Sequence, residues 1–214
     1  MISTMVRTRI ETALSARNGG TEFLKRMDRI AASQDAFLDD DDRADLAEFG
    51  ARYVRGALRM LQSCDTAASQ ARAGQLVAPV LEAAESFFLR DDPDQTWGDG
   101  LFGALCCAYA AREVVARASE IMRNIRGIPL LATDPHPEKE VVEAMIGAET
   151  VAILSAMVER AVSTARVRHA IQNGYSLQGS LRASSAVDDW AAPWEVDVAR
   201  FGEAIGIEFT RRAQ

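Results

Sequence analysis

Residues 101–124 read LFGALCCAYAAREVVARASEIMRN, and this stretch decides the fold class. Its apolar side chains recur every three or four residues, which is the spacing that places them on one face of an α-helix. Arg112 interrupts this apolar face. Small residues are frequent and would let neighbouring helices approach closely: Gly103, Ala104, Ala108, Ala110 and Ala111. The pattern therefore predicts a long central helix against which the other helices pack.

The segments on both sides of this helix have the same helical period, and their connections are short. Loops are expected at residues 91–100, which are rich in aspartate and glycine, and at residues 126–137, which contain three prolines. The sequence predicts an all-α fold, a single helical bundle of six to seven helices. We expect one domain over residues 1–214, with residues 1–38 as a candidate N-terminal helical extension.

Local sequence signals predict where the helices begin, bend or end. Glycine pairs end helices, Asp-Thr pairs cap them, and proline disturbs a helix interior. These signals predict an end at Gly19-Gly20, a start at Asp65-Thr66, a kink or restart near Leu76 caused by Pro79, and either a bend at Gly147 or a break near Ser163-Thr164.

The charge of the chain argues against nucleic acid as a partner. The formal net charge is −7, and Lys25 and Lys139 are the only lysines. Affinity for phosphates comes largely from clustered lysine and arginine, so we expect no nucleic-acid binding. Arginine supplies nearly all the positive charge, and with so much alanine this is typical of a GC-rich bacterial genome.

The apolar segments favour a protein outside the membrane. No apolar run is as long as a bilayer-spanning helix, and the first residues lack the apolar core of a secretory signal. Cys64, Cys106 and Cys107 form no CxxC pair, so free, buried thiols in a reducing compartment are expected. The sequence thus predicts a cytoplasmic protein.

An aspartate cluster is the sharpest local motif. Asp41, Asp42 and Asp45 form a DDxxD pattern, with Asp39 and Asp40 directly before it. In prenyl-diphosphate chemistry such carboxylates hold Mg²⁺, and the metal holds the diphosphate. Here the motif stands at a helix start with no second acidic motif to face it. Capping of the helix dipole is therefore the preferred interpretation.

No other pattern indicates catalysis, a metal or a cofactor. A di-iron bundle needs Glu-x-x-His pairs, and the sequence has none. The helical glutamates are expected on solvated faces or in ion pairs, such as Glu113 with Arg117. Cys106 and Cys107 are expected to fill the core.

Two tryptophans near the C-terminus flank the end of a polar segment. Trp190 and Trp194 could mark a binding surface or could close one end of the bundle. The candidate partner-binding residues are accordingly Asp39, Asp40, Asp41, Asp42, Asp45, Trp190 and Trp194.

The C-terminal ending Glu203–Phe209, EAIGIEF, resembles the C-terminal signature of the YjaG-like bacterial proteins, an all-helical family of unknown function. Residues 49–60 with the pair Arg52-Tyr53, and residues 97–115, are similar to it as well. The resemblance spans about Asp45 to Phe209. It implies a helical fold and no catalytic residues.

Together these features favour a non-enzymatic protein that binds a basic protein partner, such as an immunity or accessory protein. The alternative is a helical enzyme or ligand-binding bundle with a carboxylate-lined pocket, built on the Asp41, Asp42 and Asp45 cluster or on Glu149. A homodimer is a third expectation, with the alanine-rich central helix packing across the interface.

Overall fold

The computed structural model describes residues 3–15, 17–33, 35–70, 74–89, 100–126, 138–164 and 167–169. Within these residues the chain is helical and contains no strand, which confirms the predicted all-α class. Seven helices of eight or more residues lie in this part of the chain: α1 Thr4–Ser15, α2 Arg17–Ser33, α3 Asp40–Gln70, α4 Gly74–Leu89, α5 Leu101–Arg126, α6 Lys139–Ile146 and α7 Ala148–Val162.

Helix α5 is the centre of the bundle, as its sequence predicts. It packs against all six other helices, most extensively against α3, α4 and α7. Leu105 and the alanines of its small-residue face are buried: Ala104, Ala108, Ala110, Ala111 and Ala118. Because these alanines contact the helices of the same chain, they are not exposed for packing across a dimer.

The N-terminal helices differ from the prediction in where they meet. Helix α1 ends at Ser15, and Gly19-Gly20 lies inside the first turn of α2 instead of ending a helix. The first-turn N–H groups have no partner within the helix, so glycine is tolerated there more easily than further in. Val6 of α1 and Phe23 of α2 are fully buried in the core shared with α3 and α5.

Helix α3 is longer than predicted. Asp65-Thr66 does not begin a new helix but lies within α3, which continues to Gln70. Cys64 and Ala68 extend the buried face of the helix by one further turn. Burial of that face outweighs the local capping preference of Asp65 and Thr66. The restart predicted near Leu76 is found at Gly74, with Pro79 inside α4.

Gly147 separates α6 from α7 by a sharp bend of 113°. Its backbone has φ 84° and ψ 149°, a conformation that residues other than glycine rarely adopt. Nη2 of Arg26 donates a hydrogen bond of 2.7 Å to the carbonyl of Ile146 and so satisfies the end of α6. The predicted break at Ser163-Thr164 is also present, directly after α7.

Gly147→Ala is expected to lower the free energy of unfolding by about 1–2 kcal/mol, because the new Cβ enforces a strained backbone. That Cβ would also lie 3.2 Å from Nη2 of Arg26. Urea denaturation followed by circular dichroism measures the change. Gly20→Ala is the matched control, since its Cβ meets nothing within 4 Å. Equal stability of the two variants would contradict the prediction.

No single described helix has both the length and the apolar character that crossing a bilayer requires. The bent pair α6 and α7 passes when its two helices are taken together, by length and composition only.

Candidate functional site: an acidic corner and a buried ionic cluster

The connection between α2 and α3 exposes an aromatic side chain. Asp35 has a positive φ of 56°, and residues 36–39 lead to the start of α3 without regular secondary structure. Leu38 is buried in the core, while Phe37 is 83% exposed. Phe37 is the most exposed of the large hydrophobic residues in the described part of the chain.

The aspartate cluster begins two residues after Phe37 and caps α3. The Asp42 N–H donates to Oδ1 of Asp39 at 2.8 Å, and the Asp39 N–H donates to Oδ2 of Asp42 at 3.3 Å. This reciprocal pair is a capping box built from two aspartates, as the capping interpretation expects. Among the described residues, no group of three or more His, Cys, Asp or Glu side chains is placed to hold a metal ion.

Arg43 fixes the shape of this connection. Its Nε donates to Asp28 of α2 at 3.0 Å, and its Nη1 donates to Asp40 at 2.9 Å. The hydrogen bond to Asp28 is the main cause of a raised pKa for Arg43. The guanidinium also lies 5.9 Å from the ring centroid of Phe37. The exposed ring is therefore held on an ordered turn.

We call this surface the acidic corner and define it by Phe37, Asp39, Asp40, Asp41, Asp42 and Asp45. Asp39, Asp40 and Asp41 are exposed, and Asp42 and Asp45 are partly buried. The structure thus brings the five predicted aspartates to one place. The other two candidates, Trp190 and Trp194, lie outside the described residues. Phe37 was not among the predicted site residues, because the sequence does not show which of the neighbours Phe37 and Leu38 enters the core.

A second polar group lies inside the bundle, where sequence analysis saw only an interruption of an apolar face. Arg112 of α5 and Glu138, just before α6, are both fully buried, with Nη1 and Oε1 2.5 Å apart. Nη2 of Arg112 donates to the carbonyl of Tyr53 at 3.0 Å, and the guanidinium lies 4.0 Å from the Tyr53 ring centroid. Burial raises the pKa of Tyr53 well above its ordinary value.

A rim of further charges connects α5 with α6. Glu113 is only 4% exposed and pairs with Lys139 at 2.6 Å and with Arg117 at 3.6 Å. The ion pair that the helical spacing predicts between Glu113 and Arg117 is confirmed. The burial of Glu113 is compensated by Lys139, a partner distant in sequence. The Tyr109 hydroxyl donates a hydrogen bond of 2.6 Å to Glu143. Burial is the largest cause of the raised pKa of Tyr109.

These residues form the buried ionic cluster: Tyr53, Tyr109, Arg112, Glu113, Glu138, Lys139 and Glu143. Its innermost pair, Arg112 and Glu138, is shielded from solvent. The cluster ties α6 to α5 and α3, and we assign it a structural role.

The cysteines lie where core filling predicts. Cys64 and Cys106 are buried, and Cys107 is partly buried, with its Sγ 3.1 Å from the carbonyl of Phe87. Burial raises the pKa of the Cys64 thiol to about 12 and also raises that of Cys106. Thiols with a raised pKa are poor nucleophiles at neutral pH.

An open groove of about 370 Å³ lies on α4. The described residues that line it are Glu82, Glu85, Ser86 and Leu89. Oε2 of Glu85 accepts a hydrogen bond of 3.3 Å from the backbone of Ser3. Desolvation raises the pKa of Glu85. None of the acidic corner residues, nor Glu149, lines this groove.

Comparison with known proteins gives no relative: the chain matches no family model, no curated protein and no solved structure. The likeness to the YjaG-like family therefore stays a prediction. The segment that carries it most strongly, Glu203–Phe209, lies outside the described residues.

Proposed function

We propose that this chain is a non-enzymatic protein that acts by binding another protein through the acidic corner. The observation that carries the proposal is the exposure of Phe37 beside three exposed carboxylates. Aromatic side chains are enriched at protein interfaces, and a few such anchors supply most of the binding energy. An immunity or accessory protein of the bacterial cytoplasm would act in this way.

The shape of the acidic corner supports an interface because it is already ordered. The capping box of Asp39 and Asp42 and the Asp28–Arg43 pair hold the turn. Leu38, which is buried in the core, anchors this turn to the bundle. A pre-organised aromatic anchor loses less conformational freedom on binding than one on an unrestrained loop.

The charge of the acidic corner indicates the chemistry of its partner. Asp39, Asp40 and Asp41 are exposed and lie two to four residues after Phe37 in the sequence, and the whole chain carries a net charge of −7. The complementary surface is an apolar pocket bordered by arginine or lysine. Such complementarity accelerates encounter and becomes weaker as the salt concentration rises.

Affinity capture from a lysate of the source cells, at moderate salt and with mass spectrometry, tests the proposal. We expect one stoichiometric basic protein to be retained by the wild type and lost with Phe37→Ser, because the anchor is removed. Asp41→Asn should weaken retention at low salt more than at high salt.

Met5→Ser is the matched control, because Met5 is a 63% exposed apolar residue of α1 that is not part of the acidic corner. It should retain the same protein as the wild type. The proposal fails if no stoichiometric protein is retained, or if Phe37→Ser retains it as well as Met5→Ser does.

A second candidate function, binding of a small ligand in a carboxylate-lined pocket, is favoured by the groove on α4. Glu82 and Glu85 give it an acidic wall suited to a cationic ligand. We rank it below protein binding because the groove is open and Glu85 already accepts a hydrogen bond from Ser3. The affinity for a ligand bound in this groove would not change with Phe37→Ser.

A further inference from the structure

We propose that a second copy of this chain docks antiparallel on the outer face of α7, independently of the acidic corner. The inner face of α7 packs within the bundle, where Leu154, Val158 and Val162 are buried. The opposite face carries apolar residues in solvent. Ala152, Ile153 and Ala156 are exposed, and Ile153 is 45% exposed.

The charges at the two ends of this face identify a second copy as the occupant. Glu149 lies in the first turn of α7 and Arg160 in the last, and both are exposed on the same face as Ile153. They are separated by three helical turns, or about 16 Å along the axis. A two-fold axis between Leu154 and Ser155 places Glu149 of each copy opposite Arg160 of the other.

The same symmetry matches the apolar residues in size. It sets Ile153 of one copy opposite Ala156 of the other, so that a branched side chain meets a methyl group. Small residues allow two helices to approach to the shorter end of the usual 8–10 Å interaxial range. A face that is complementary to itself in both charge and size is what a two-fold dimer requires.

The size of the face sets the strength expected for this dimer. Two helices of 15 residues cover less than the roughly 800 Å² per partner found in stable complexes. The dimer is therefore weak, with a dissociation constant on the order of 100 µM. Glu159, at the edge of the face, pairs with Arg117 of α5 at 2.5 Å and is already engaged within the chain.

Sedimentation velocity of the full chain over a concentration series up to about 1 mM tests the proposal. We expect the wild type to dimerise at the upper concentrations. Glu149→Arg should raise the dissociation constant about tenfold, since it sets two arginines against each other at both ends. The double variant Glu149→Arg with Arg160→Glu restores opposite charges and should return the constant to within threefold of the wild type.

Glu140→Arg is the matched control, because Glu140 is an exposed acid in the first turn of α6 and the substitution changes the net charge equally. It should leave the dimer constant unchanged, as should Met5→Ser. Ile153→Ser should abolish the dimer. A wild type that is monomeric throughout the series overturns the proposal, and so does a dimer that the Glu149→Arg variant forms equally well. Loss of the dimer with Phe37→Ser would instead assign self-association to the acidic corner.

Discussion

Glu138→Ala is expected to lower the free energy of unfolding by about 3–5 kcal/mol, because it leaves the guanidinium of Arg112 buried without its carboxylate. Both side chains are fully buried, and Nη1 and Oε1 are 2.5 Å apart. Water does not reach the guanidinium to replace the lost partner. Removing one member of such a pair costs far more than the pair itself contributes to stability. Urea denaturation followed by circular dichroism measures the effect.

Two further variants make this prediction specific to burial. Glu48→Ala removes an exposed carboxylate that lies 3.3 Å from Arg55, and it should cost less than about 1 kcal/mol. Replacing both buried charges, Arg112→Met with Glu138→Leu, should recover most of the stability lost by Glu138→Ala. If Glu138→Ala were no more harmful than Glu48→Ala, the buried placement of the pair would be wrong.

The sequence predicts the helices of this bundle because their signal is local. A face such as Leu101, Leu105 and Ala108 repeats within a single segment, and its period does not depend on the rest of the chain. Helix ends are harder, since Gly19-Gly20 and Asp65-Thr66 have ordinary end signals that the bundle overrides. The bend at Gly147 is predicted correctly because it depends on the backbone conformation of that one residue, a positive φ that glycine favours.

The acidic corner and the buried ionic cluster differ in how far they can be predicted from the sequence. The aspartates of the acidic corner are consecutive, so their shared position at a helix start is predictable. The exposure of Phe37 depends on which of two neighbouring apolar residues enters the core, and the sequence does not determine that choice. The partner of Arg112 is 26 residues away along the chain. Its identification needs the folded chain.

Arg112 also explains a glycine in the facing helix, and this leads to the second large effect. A Cβ on Gly56 of α3 would lie 2.4 Å from Nη2 of Arg112, too close for either atom to stay in place. The same Nη2 donates to the carbonyl of Tyr53, one turn earlier in α3. Gly56 is therefore required so that the guanidinium can approach the backbone of α3.

Gly56→Ala is expected to lower the free energy of unfolding by about 2–3 kcal/mol, because the displaced guanidinium loses its hydrogen bond to Tyr53 and is strained against Glu138. Gly50→Ala, two turns earlier in α3, is the matched control. Its Cβ would meet Leu101 and Phe23 at ordinary contact distances of 3.6 Å. Alanine is the better helix former, so this control should be neutral or stabilising by up to about 1 kcal/mol. The same urea titration measures both variants. A loss of stability at Gly56 without a loss at Gly50 would show that the close approach of Arg112, and not helix propensity, determines the cost at Gly56, whereas a Gly56→Ala variant as stable as the wild type would contradict the placement of that side chain.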